Sequence, residues 1–261
     1  MSTVRVVAFA LALAAASGSA GALDLVATRP PVEIPDGRVT IGARTLVLPP
    51  GPGQWFYVDH QERPVAGGPR NLQTSTDDRA FLVRIDRGSL ALAAEVYLLR
   101  ADLLKTGWDD LPCAGRQDIY LKEHLAAPSL RDCVAVRGLR SADVQAFVAA
   151  NVPAGPAWLA RRKVALPEFA ANIRYARFSS NTYGVIDVFV PATHFASDQA
   201  AIDWAESLRS ALKPVFEHRV DLAAVPALPP ASPPASSAPP RAARPRTSSP
   251  APGSRPPAGP G

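Results

Sequence analysis

"AFLVRIDRGSLALAAEVYLL" (residues 80–99) decides how this chain is read. Two apolar runs, AFLVRI and SLALAAEVYLL, flank Asp86-Arg87-Gly88, which places a glycine where a tight turn needs positive φ. The stretch predicts a β-hairpin. A second hairpin joins NIRYARF to GVIDVFV through residues 179–183, with Arg174, Arg177 and Asp187 breaking the apolar pattern as water-facing residues do. Upstream, RVTIGARTLVLP alternates and is rich in β-branched residues, which suits a strand or short hairpin, and QWFYVDH suits another strand. Between QWFYVDH and the first hairpin, QERPVAGGPRNLQTSTDD (61–78) is polar and rich in turn formers, so it reads as a long loop. CVAVRG is a shorter strand candidate. Strands adjacent in sequence favour antiparallel pairing.

Two helices complete the pattern. Ser141 can cap ADVQAFVAAN, in which Val144, Phe147 and Val148 share a face before Pro153 ends it. The stronger helix starts at Ser197 or Asp198 and repeats Ala201, Trp204, Leu208, Ala211 or Leu212, and Val215 at helical spacing. Asp203, Glu206 and Arg209 take its other side, and Pro214 kinks or ends it. One apolar stripe must lie on something, and an antiparallel sheet is the natural partner, so the expected fold class is α+β. The sheet and both helices fit one domain over residues 23–225.

Beyond that domain, residues 226–261 contain 13 prolines among 36 residues and Leu228 as the only large apolar side chain. Such a composition buries too little surface to offset ordering entropy, which predicts a disordered, polyproline-like tail. At the other end, Arg5 precedes a short apolar run at residues 6–16, and Ala20-Gly21-Ala22 offers a signal-peptidase site. The run is well short of the roughly 20 residues a membrane-spanning helix needs. Residues 1–22 therefore read as a signal peptide, and no later segment reads as transmembrane. The formal charge is +5. Removing Arg5 and the tail residues Arg241, Arg244, Arg246 and Arg255 leaves residues 23–225 neutral, which argues against nucleic acid as a partner. The four tail arginines either attract an anionic surface weakly or serve a solubilising spacer.

Export gives the only two cysteines a meaning. Cys113 and Cys133 are 20 positions apart, with neither the C-x-x-C of a redox pair nor the nearby Cys or His of a metal site. In an oxidising compartment they predict one disulfide, worth about 3 kcal/mol in the chain-entropy picture. The pattern implies no metal and no cofactor.

Catalytic signatures are thin. KTG (105–107), SSN (179–181) and SALK (210–213) match the three elements of penicillin-binding serine acyl enzymes, but in reversed chain order. Ser210 also falls near the C-terminal end of its helix, where an oxyanion gains nothing from the dipole. His60, His124, His194 and His218 have no close His or Cys partner. Asp109 and Asp110 read as a solvated acidic turn. His194 with Ser197 or Asp198 is the best dispersed acid–base grouping, and the basis of an alternative reading as a cell-envelope hydrolase. Trp55 and Tyr57 face opposite to Phe56 on one strand, so either the sheet is covered on both faces there or the pair forms an exposed binding surface.

LPPGPGQWFYV, the long hairpins and the closing SDQAAIDWAESLRSALKPVF helix together resemble the PsbP-like group of small exported or envelope proteins, over residues 38–216. That resemblance implies a helix laid across an antiparallel sheet and a role in binding partners. It assigns no functional residue, and the lipid-attachment cysteine of many such envelope proteins is missing. The sequence therefore leads to a periplasmic or secreted, non-enzymatic binding or accessory domain of a bacterial-type cell envelope, with a protein or envelope ligand as partner and a basic, flexible tether.

Overall fold

Asp86 pairs with Ser89 across a two-residue turn in which Arg87 (φ 46°) and Gly88 (φ 78°) are both left-handed, so the predicted hairpin closes with a twist that matches its strands. Its arms are β6 (Ser75–Asp86) and β7 (Ser89–Arg100). The computed structural model describes residues 21–231 except 42, 66–74, 101–112, 114–118, 128–129, 152, 180–181 and 218. Short strands β1 (Leu23–Asp24), β2 (Val32–Ile34), β3 (Arg38–Ile41) and β4 (Arg44–Val47) precede β5 (Gln54–Val65). After the hairpin come β8 (Tyr120–Ala127), β9 (Leu130–Arg140), α1 (Ser141–Asn151), α2 (Ala154–Arg161), β10 (Phe169–Ser179) and β11 (Thr182–Pro191). The long helix α3 (Asp198–Phe216) and β12 (Leu222–Ala224) close the described chain.

Two meanders, β5-β6-β7 and β8-β9-β10-β11, meet where β7 pairs with β11, giving an eight-stranded sheet ordered β2-β5-β6-β7-β11-β10-β9-β8. Every neighbouring pair in it is antiparallel, as the sequence predicts. In a smaller sheet, β1-β3-β4-β12, the stretch expected as a strand or short hairpin is the β3/β4 hairpin, and two parallel pairs are added at its margins. The fold class is α+β.

The long loop expected at residues 61–78 is corrected at its two ends, 61–65 and 75–78; residues 66–74 lie outside the described residues. Backbone pairing continues through Gln61↔Arg79, Arg63↔Asp77 and Val65↔Ser75. Beyond Tyr57 the β5 strand has no β2 partner and is a sheet edge among the described residues, where polar residues and proline are tolerated and hide the strand signal.

One apolar cluster fills the space between the large sheet, α3 and the small sheet. It includes Trp55, Tyr57, Leu82, Ile173, Val188, Trp204, Leu208, Leu212 and Val215. Ser197 caps α3, its Oγ accepting from Ala200 N–H, and the predicted stripe is the buried one. Leu208 and Leu212 are fully buried, each contributing about 1.5–3 kcal/mol by leaving water. Pro214 does not stop the helix, which runs two residues further. Gly184 allows this close approach, because a Cβ there would stand 2.8 Å from the Phe216 ring.

The opposite face carries two smaller clusters. One holds Phe56, Phe81, Val83, Trp158, Leu159 and Phe189 beneath α1 and α2; the other surrounds Cys113 and Cys133. Asp59 joins α2 to β5 by accepting from Ala154 N–H at 2.7 Å, satisfying one of the free donors of that helix's first turn. The side chains of Ser141, Phe147 and Val148 lie outside the description; Val144 packs on the cluster beneath α1.

Candidate functional site

The strand ends of β9 and β10 meet the first turns of α1 and α3 around an open groove of about 450 Å³. Small residues shape its floor: Gly138, Ala170, Ala171 and Ala201. Ile119, Leu139 and Phe195 give it apolar walls, while Arg140, Asp143, Ser197 and Asp198 set both signs of charge at its rim. Asp143 is partly committed, since its carboxylate accepts from Arg140 N–H. An apolar trough with a few polar groups around it is the usual form of a ligand site.

Two residues of the predicted acid–base grouping, Ser197 and Asp198, do line this groove. Ser197 and His194 of that grouping each have another partner. Ser197 Oγ is the α3 cap, and His194 Nδ1 lies 2.7 Å from the Pro229 carbonyl oxygen. Ser210 Oγ donates to the Glu206 carbonyl within its own helix. Lys105, Asp109, Asp110, His218 and the tail residues Arg241, Arg244, Arg246 and Arg255 lie outside the described residues. Among the described residues no three His, Cys, Asp or Glu converge as metal ligands, and no helix is long and apolar enough to cross a membrane.

Trp55 and Tyr57 are not an exposed surface; the exposed alternative is corrected. They are 6% and 0% accessible, because the small sheet covers their side while α2 covers Phe56 on the other. Trp55 Nε1 donates to the Pro49 carbonyl and Tyr57 Oη to that of Leu25. Burial pushes the Tyr57 hydroxyl well above its ordinary pKa, with Asp59 and Asp78 adding to the effect. Cys113 and Cys133 form the predicted disulfide, which ties the segment between β7 and β8 to β9.

Sequence reasoning missed the buried charges. Arg174, Arg177 and Asp187 do not face water. Asp187 accepts from Asn172 and from both Nε and Nη2 of Arg174, and Glu95 stands directly across from it on β7. Two carboxylates abreast are unfavourable unless cations flank them. Arg174 and Arg79 do so here. Burial pulls the Arg174 guanidinium down, but Asp187 outweighs it and raises the pKa.

A second network joins α3 to the sheet. Asp132, fully buried, accepts from Arg177 Nη1 at 2.6 Å and Arg209 Nε at 2.7 Å; Arg177 continues to Glu217 at 2.6 Å. Glu206, expected on the solvent side of α3, accepts from Tyr120 Oη at 2.7 Å and sits 3.0 Å from His124 Nε2. Burial and then the Glu206 hydrogen bond raise the Tyr120 hydroxyl to about 12. A polar residue at an apolar-stripe position is visible in a sequence, but its partner is dozens of residues away.

Compared with models of protein families, with curated proteins and with solved structures, the chain matches none of them, so its role rests on its own geometry.

Proposed function

We propose that the protein is an exported, non-enzymatic binding or accessory domain of a bacterial-type cell envelope, carrying its proline-rich C-terminal segment as a basic tether. The groove between the strand ends and the first turns of α1 and α3 is the observation that carries this reading. Its floor suits an apolar part of a ligand, and Arg140 and Asp198 in its lining suit polar ends of either sign. The Cys113–Cys133 disulfide supports a periplasmic or secreted location, since such bonds persist where thiols oxidise. Within the groove the described serine and the neighbouring histidine each serve another partner, which favours binding over acyl transfer.

Anilinonaphthalene sulfonate is a suitable probe, having an apolar body and one anionic group. Its fluorescence should rise on titration with the full chain, and Ala192→Trp, at an exposed position on the groove wall, should weaken binding about tenfold or more. Equal binding by the wild type and Ala192→Trp removes the groove as the site. A fluorophosphonate probe should leave the protein unlabelled; labelling of Ser197 would turn the reading toward a hydrolase.

A further inference from the structure

We propose that the space between the large sheet and helices α1 and α2 is a second binding site, for a single-ring aromatic molecule. A partly open pocket of about 170 Å³ lies there; it shares helix α1 with the groove, which Asp143 lines, but has none of the groove's lining residues. Its floor is Phe81, Leu90 and Ala93 on the hairpin strands; Leu159 and Ala160 of α2 and Val164 form the opposite wall. A dry, apolar cavity of ~150 Å³ accepts benzene or xenon, so this volume is of one-ring size.

Three features make the space a built one. First, the wall is held. Ala165 bridges Ser89, its N–H donating to the Gly88 carbonyl while Leu90 N–H donates to the Ala165 carbonyl, so the chain after α2 is pinned to the β6–β7 turn and does not collapse inward. Second, two small side chains line it, buried Ala93 from the sheet and exposed Ala160 at the open side, where a larger residue would occupy the space. Third, the lining includes a single amide, that of Gln145 on α1, an exposed residue at the open side of the pocket. An apolar wall with one amide selects a ring bearing one hydroxyl, a phenol, over a charged or larger ligand.

Thermal melts of the oxidised full chain with benzene, phenol and glycerol at equal concentration test this. Benzene and phenol should raise Tm in a concentration-dependent way, and glycerol at that concentration should not. Ala160→Leu, from the helix side, should leave the fold intact and weaken both ligands about tenfold or more; Ala93→Leu provides the same test from the sheet. Gln145→Leu should weaken phenol while leaving benzene unchanged. No rise in Tm, or a rise that survives both filling substitutions, overturns the proposal. Ala192 lines the groove and not this pocket, so loss of anilinonaphthalene sulfonate binding in Ala192→Trp reports on the groove, and retention of benzene binding in that variant keeps the two sites distinct.

Discussion

On the α3 side of the large sheet, one continuous apolar cluster reaches from Trp55 on β5 to Val136 on β9, and the charges of Asp132, Arg177 and Arg209 stand together at one end of the strands. On the opposite side, Arg174, Asp187 and Glu95 lie abreast in mid-sheet and part the cluster beneath α1 and α2 from the one around the disulfide. The difference teaches that the same sheet is held in two ways. A long amphipathic helix suffices where the apolar surface is unbroken. Where a charged row divides it, each half is too small to stand alone, and ion pairing, short helices and a covalent bond complete the cover.

The largest test of this contrast removes one buried acid from each face. Asp132→Ala and Asp187→Ala should each cost about 3–5 kcal/mol in denaturant unfolding, because each leaves buried guanidinium groups uncompensated. If Asp187→Ala is nearly silent, the charged row does not hold its face. Leu208→Ala should cost about 2–5 kcal/mol through the cavity it leaves in the continuous cluster. Reducing the disulfide should cost about 3 kcal/mol and should raise hydrogen exchange in β8 and β9 before β5 and β6. Uniform loss of protection across the sheet would contradict a divided second face.

High pH should loosen the α3 side next. Tyr175 is fully buried, its hydroxyl has no hydrogen-bond partner among the described residues, and burial followed by Asp132 raises its pKa far above the ordinary value. Tyr57 and Tyr120 are raised as well. A folded value above the unfolded one means stability that is full below about pH 10 and lost as pH climbs through the folded values. Phenolate absorbance should therefore show Tyr120 ionising near 12 and the other two only as the chain unfolds. Ionisation of all three near pH 10 in the folded protein would show the burial to be wrong. The smallest effect belongs to the hairpin turn: Arg87→Asn should stabilise by a few tenths of a kcal/mol, since asparagine tolerates the left-handed backbone better than arginine does.

Local signals made much of this fold legible. The Asp86–Gly88 turn, the α3 stripe and the two isolated cysteines each state their structure within a few residues or one clear spacing. Other parts depend on distant neighbours. The α2 helix holds a glycine and a proline in eight residues and forms because Trp158 and Leu159 pack on the sheet. The β8 edge strand mixes Lys122, His124 and Leu125 around a bulge, so its alternation is blurred. Arg174, Arg177 and Asp187 read as solvent-facing, because a residue's charge is plain in the sequence while its cross-strand partner is not. The groove was legible only through Ser197 and Asp198; its small-residue floor comes from strands whose meeting depends on topology.

Past Val225 the described chain stays in contact with the domain. Leu228 packs against the main cluster, Trp204 Nε1 donates to the Ala227 carbonyl at 3.0 Å, and His194 holds Pro229. A pull on the C-terminus thus meets two side-chain moorings in turn before it reaches the Val225–Val47 backbone bond and β12. Traction is shed stepwise at the periphery, and the sheet's interior feels strain only after both moorings have slipped.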